Sequence, residues 1–126
     1  MGALTDLGLT TDDGSIMVIS APDSVLAEAG AMKPRPSFAS TLLTAEPASR
    51  IVWWPEKRHL DGGTLRRLAW MVGPGSGVAW LVIDPAEEES PGGDELRSAL
   101  VAVGMAVAEE RAIGRGEVAL RVTTAE

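Results

Sequence analysis

Six consecutive apolar residues, Val78-Ala79-Trp80-Leu81-Val82-Ile83, run directly into the stop Asp84-Pro85. A run this short, with no polar residue at the strand period of two, reads as a strand covered on both faces. Such a strand has no place in a one-sided sheet, so layers must flank it. Ser15-Ile16-Met17-Val18-Ile19-Ser20 has the same character and follows Asp12-Asp13-Gly14. Arg50-Ile51-Val52-Trp53-Trp54, entered through Pro47-Ala48-Ser49 and ended by Pro55, is a third strand. Thr41-Leu42-Leu43-Thr44 reads as another, shorter one.

Helical patterns separate these runs. Pro22-Asp23-Ser24 opens the first, with Asp23 or Ser24 as N-cap, Val25, Leu26 and Ala29 on one face, and Gly30 as the stop. Lys33-Pro34-Arg35-Pro36 excludes a helix interior, because each proline restricts itself and the residue before it. From Leu60 the apolar positions Leu60, Leu65, Leu68, Ala69 and Val72 recur at helical spacing until Gly73. Glu87-Glu88-Glu89-Ser90-Pro91-Gly92-Gly93 is an acidic, breaker-rich loop. Asp94 then caps a helix that carries Leu96, Leu100 and Val103 on one face and ends at Gly104. Finally Met105, Val107 and Glu109, then Val118, Leu120 and Val122, alternate around Gly114-Arg115-Gly116, the pattern of a β-hairpin.

The expected fold is therefore an α/β three-layer sandwich, with a mostly parallel sheet and a C-terminal antiparallel hairpin. Residues 16–20 should lie centrally, between 41–44 and 51–54. Residues 1–14, with Leu4, Leu7 and Leu9 as anchors, read as an N-terminal arm, and residues 15–126 as one domain. A chain of 126 residues has enough interior for one core.

Eleven Lys and Arg against 18 Asp and Glu leave a net charge of −7, which disfavours nucleic acid and anionic membrane surfaces as partners. With no cysteine and one histidine, disulfides, zinc fingers, thiol catalysis and multi-histidine metal sites are excluded, and no metal is expected. No apolar run approaches the ~20 residues of a membrane span. The first residues lack the basic and apolar regions of a secretory signal, and Asp6 breaks the myristoylation pattern after Gly2. Zero cysteine fits a reducing compartment, so the cytoplasm is the expected location.

The series from Ser15 onward, with Ala21-Pro22-Asp23 after its first strand and Gly73-Pro74-Gly75-Ser76-Gly77 before Val78, carries a resemblance. It resembles a bacterial family of small proteins of unknown function whose fold is similar to a truncated class I (Rossmann-like) methyltransferase. Leu68 through Ile83 is similar to the helix, Pro-Gly turn and strand of that fold. The terminal hairpin is similar to the one that completes its sheet. The resemblance implies a crevice at the carboxyl ends of the strands. It also implies a Gly-rich turn after the first strand, where backbone amides approach S-adenosylmethionine. This chain has Ser20-Ala21-Pro22-Asp23 there instead. Ala21 adds a methyl group, while Pro22 removes an amide donor and adds bulk. The expectation is a domain that takes no cofactor and serves as a noncatalytic binding or interaction module. The alternative is a small S-adenosylmethionine-dependent methyltransferase with an atypical loop.

Candidate ligand-binding residues at the carboxyl strand ends are Ser20, Asp23, Glu46, Trp54 and Asp84. Glu46, after the second strand, is placed to meet a ribose hydroxyl pair, and Asp84 stands at the end of another strand, or else both act as capping or solvated loop carboxylates. Core packing is the expected role of Trp53, Trp54, Trp70 and Trp80, with Trp53 and Trp54 on opposite sheet faces. Among them Trp54, beside Pro55, is best placed to offer a flat face to a ring. Gly73-Pro74-Gly75-Ser76-Gly77 follows a helix and precedes a strand, the reverse of a phosphate cradle, and reads as a structural corner. His59 has no nucleophile elbow to serve, and Asp12-Asp13 precede the first strand rather than follow it, so neither defines a catalytic centre. Lys57-Arg58-His59 with Arg66-Arg67 is the one local basic cluster, expected to pair with the chain's own acids. The expected partner is an unidentified protein or small molecule, and a homodimer fits as well.

Overall fold

The computed structural model describes residues 16–21, 23–31, 37–39, 50–57, 60, 62–72, 78–84, 86, 88, 90–113 and 116–124. Six strands and three helices are defined among them: β1 Ile16–Ile19, α1 Asp23–Gly30, β2 Ser37–Ala39, β3 Arg50–Trp53, α2 Gly62–Val72, β4 Val78–Ile83, α3 Gly93–Val101, β5 Met105–Ile113 and β6 Glu117–Thr124. The strands form one sheet in the order β2-β1-β3-β4-β6-β5. β2, β1, β3 and β4 run parallel, and β6 and β5 complete the sheet antiparallel.

The apolar runs are buried on both faces, as continuous hydrophobicity requires. All four residues of β1 are buried, and they alternate between two core layers. Met17, Ile19, Ile51, Trp53, Ala79, Leu81 and Ile83 face the first layer, which Leu65 and Leu68 of α2 and Leu96 and Leu100 of α3 cover. Ile16, Val18, Val52, Trp54, Trp80 and Val82 face the second, where Val25 and Ala29 of α1 pack. Trp53 and Trp54 thus point to opposite faces. No described helix is long and apolar enough to cross a membrane.

Four expectations need correction. The strand beside β1 is β2 at Ser37–Ala39, and the segment 41–44 lies outside the described residues. β1 does sit between β2 and β3, as its apolar composition demands. An edge strand is chosen by its hydrogen bonding to the neighbour, and its largely exposed residues leave no apolar signature. Second, Asp94 is not the cap of α3. Gly92 occupies that position, its N–H donating to Glu95 Oε1 at 3.3 Å, while Asp94 lies in the first turn. Third, α1 already begins at Asp23, which makes this residue a first-turn acid. Fourth, Trp70 is not in the core but 62% exposed.

The hairpin also breaks its expected alternation. Val107 pairs with Val122 and Glu109 with Arg121, so Ala108 is an extra residue that forms a bulge. Val107 therefore packs on the first layer, whereas Glu109 turns to the second face. There its Oε2 accepts from Arg111 Nη2 at 2.7 Å and Nε at 3.2 Å, and its Oε1 accepts from Arg121 Nε at 3.3 Å. Arg111 in turn stands 5.1 Å from the centre of the Trp80 ring.

The hydrogen bonds from Arg111 hold the Glu109 carboxyl below its usual 4.5, with Arg121 adding to the effect and partial burial opposing it. A carboxyl depressed in the folded state stabilises above its unfolded pKa, and that stabilisation is lost as the pH falls through the folded value. The melting temperature should therefore decline on acidification below about pH 4.5, and Glu109→Gln should flatten the decline. Thermal melts of both proteins across acid pH check this. Parallel curves would remove Glu109 as a source of acid sensitivity.

Candidate functional site

The parallel strands β1 to β4 end on the same side of the sheet, and strand order reverses between β1 and β3. This is where open α/β sheets leave a crevice. The end of β1 is tied on both sides. The Ile19 carbonyl accepts from the Trp54 N–H at 3.2 Å, and the Ser20 N–H donates to the Ala39 carbonyl at 3.0 Å. Ser20 then turns with φ +56°, the left-handed region, and no other non-glycine residue among those described does so. A side chain in that region costs roughly 1–2 kcal/mol relative to ordinary backbone. Such conformations persist where surrounding contacts impose them, and they cluster at ligand sites.

Beside this turn lies an open cleft of about 420 Å³, lined by Ser20, Ala21, Leu26, Phe38 and Ala39. Two of its walls are large apolar side chains that meet water: Leu26 is 40% exposed and Phe38 44%. Of the described lining residues, only Ser20 carries a polar side chain, and none titrates. The cleft offers apolar surface, one hydroxyl and nearby backbone. Among the described residues no three His, Cys, Asp or Glu side chains gather as a metal site requires.

The five candidate residues fare differently. Ser20 lines the cleft. Asp23 is exposed in the first turn of α1 and is not among the described lining residues. Trp54 is 9% exposed within the second core layer, and its Nε1–H donates to Glu117 Oε2 at 3.2 Å, so its ring is a packing element. Asp84 ends β4, but its Oδ1 accepts the Ala86 N–H at 3.0 Å and its own N–H donates to Ser90 Oγ at 2.9 Å. That is the local turn of a loop carboxylate. Glu46 lies outside the described residues, as do Pro22, His59, Asp12-Asp13 and the glycine-rich segment 73–77.

Leu26 and Phe38 are the cleft-lining residues that sequence reasoning missed. Leu26 stands next to Val25 in sequence, but one helical step rotates it ~100° away from the buried Val25–Ala29 line. That offset was the available signal. Phe38, the chain's one phenylalanine, follows two closely spaced prolines and gave no periodic clue.

No protein-family model matches the sequence, and no curated protein matches it. Solved structures do. The fold is similar to an O-methyltransferase of neocarzinostatin biosynthesis, crystallised with S-adenosylmethionine and 2-hydroxy-5-methyl naphthoic acid. That match has a TM-score of 0.61 and 15% identity, over 88% of this chain and 49% of the other. It is also similar to the antibiotic-resistance methyltransferase Kmr, with a TM-score of 0.57 and 16% identity over 98% and 94% of the two chains. A variant of the 16S rRNA (adenine(1408)-N(1))-methyltransferase from Catenulisporales acidiphilia matches with a TM-score of 0.52 and 16% identity, over 89% and 85%. The chain spans about half the length of the first of these and most of the other two. What they share with it is the methyltransferase-like fold expected from the sequence.

Proposed function

We propose that this methyltransferase-like domain is a noncatalytic binding or interaction module that uses the cleft between Ser20, β2 and α1 to hold an uncharged, largely apolar group. The observation that carries this reading is the wall chemistry: one hydroxyl among four apolar residues, with no described lining side chain that titrates. Pockets of this composition gain affinity from excluded water and orient their ligand with few polar groups. The turn composition, Ser20-Ala21-Pro22-Asp23 in place of glycines, argues in the same direction.

One observation favours the second reading, a small S-adenosylmethionine-dependent methyltransferase with an atypical loop. Ser20 holds the left-handed backbone that glycine adopts without strain. Its turn therefore follows a path suited to close backbone approach, despite the missing glycine.

Calorimetric titration with S-adenosylmethionine separates the two. The expected result is no saturable binding below about 100 μM, equivalent to a free energy weaker than roughly −5.5 kcal/mol. A tighter dissociation constant would overturn the noncatalytic reading and promote the methyltransferase. Uncharged ring compounds screened by thermal shift should raise the melting temperature, since a ligand that binds only the native state stabilises it.

A further inference from the structure

The two edges of the sheet are built differently. β5 forms one edge, and it carries Glu109, Glu110 and Arg111 together with the bulge at Ala108. Charges and bulges on an edge strand keep other strands from pairing with it. β2 forms the other edge as Ser37-Phe38-Ala39, with no charged residue. The Ala39 carbonyl points inward, since it accepts the Ser20 N–H at the end of β1. Backbone groups alternate from side to side along a strand, so the N–H and C=O of Phe38 point outward, away from β1. No described strand lies beyond them. Phe38 stands opposite Val18, which places its ring on the side of the second core layer, where α1 also packs. Of the four large apolar side chains exposed among the described residues, two, Phe38 and Leu26 of α1, line the cleft there.

We propose that this edge joins a second copy of the chain: the two β2 strands pair antiparallel about a two-fold axis at Phe38, and each cleft receives the partner's Phe38. The inference rests on the reading that the cleft holds an uncharged, apolar group, and it identifies that group. The geometry is self-complementary, as a two-fold contact requires. A residue paired with its own copy exchanges both backbone hydrogen bonds, with the two Cα atoms about 5.5 Å apart. Both rings then lie on the α1 side of the joined sheet, between the two Leu26 side chains. None of the described lining residues is charged, so the contact itself opposes no like charges. The net charge of −7, and Asp23 one turn before Leu26, act over a longer distance, where salt screens them. A three-residue strand limits the backbone pairing to these two bonds, so the dimer is reversible and depends on concentration.

Sedimentation velocity over a concentration series reaching about 1 mM tests this. The expected result is a dimer fraction that rises with concentration and rises again on adding salt, the reverse of association through ion pairs. Phe38→Glu and Phe38→Lys should each associate at least about tenfold more weakly. An equimolar mixture of the two should recover the dimer, because the residue meets its own copy. Thermal melts identify a variant that has lost its fold; Leu26→Glu, at an exposed helix position, then takes its place and should weaken association in the same way. A chain that stays monomeric, association weakened by salt, undiminished association of a folded variant, or a mixture that stays monomeric would each overturn the proposal. A monomer whose melting temperature still rises with uncharged ring compounds would overturn the dimer alone and leave the cleft's reading standing.

Discussion

Trp53→Ala is expected to destabilise the protein by roughly 3–5 kcal/mol, the range for truncating a buried aromatic side chain. Trp53 is the largest fully buried side chain among the described residues and sits at the end of β3 in the first core layer. Its removal leaves a cavity bounded by β1 and β4 on either side, where paired strands cannot easily collapse. The same change at Trp70 should cost only about 0.5 kcal/mol, because that indole is mostly in water. Urea denaturation of both variants makes the comparison. Similar losses at the two positions would contradict the assignment of one tryptophan to the core and the other to the surface.

Leu81→Ala is expected to cost roughly 2–5 kcal/mol. Leu81 is fully buried and lies in register with Trp53 of β3 on one side and Leu120 of β6 on the other. It therefore stands where the parallel part of the sheet joins the antiparallel hairpin. Leu65, Leu68, Leu96 and Leu100 complete its layer. Domains are stable by only about 5–15 kcal/mol, so this one truncation removes a large share. The urea midpoint should fall with an unchanged slope. A loss below about 1 kcal/mol would mean that β4 is not the centre of the core.

The site was less legible than the fold. Ser20, singled out because the turn after the first strand is where an α/β sheet opens, lines the cleft. Asp84 had the same positional argument, yet its carboxylate is used by the Ala86 amide of its own loop. Position along a strand says where a side chain starts; it does not say which neighbour reaches it first. Trp54 failed for a related reason. Its place at a strand end suggested access, but Glu117, 63 residues further on, receives its indole N–H inside the second layer.

By itself the sequence determined the layers. Continuous apolar runs at β1, β3 and β4 can be stable only when covered on both faces, and helical spacing in α2 and α3 supplied the cover. These signals are local, since each follows from a residue's neighbours within one turn or one strand. Tertiary structure alone decided the rest. β2 became the edge at Ser37–Ala39 through its pairing with β1, the bulge at Ala108 sent Glu109 across the sheet to its two arginines, and the bonds around Ile19 and Ser20 fixed a left-handed serine. In each case the deciding partner lies on another element, and the hydrogen bond or ion pair it offers overrides the weaker preference written in the local chain.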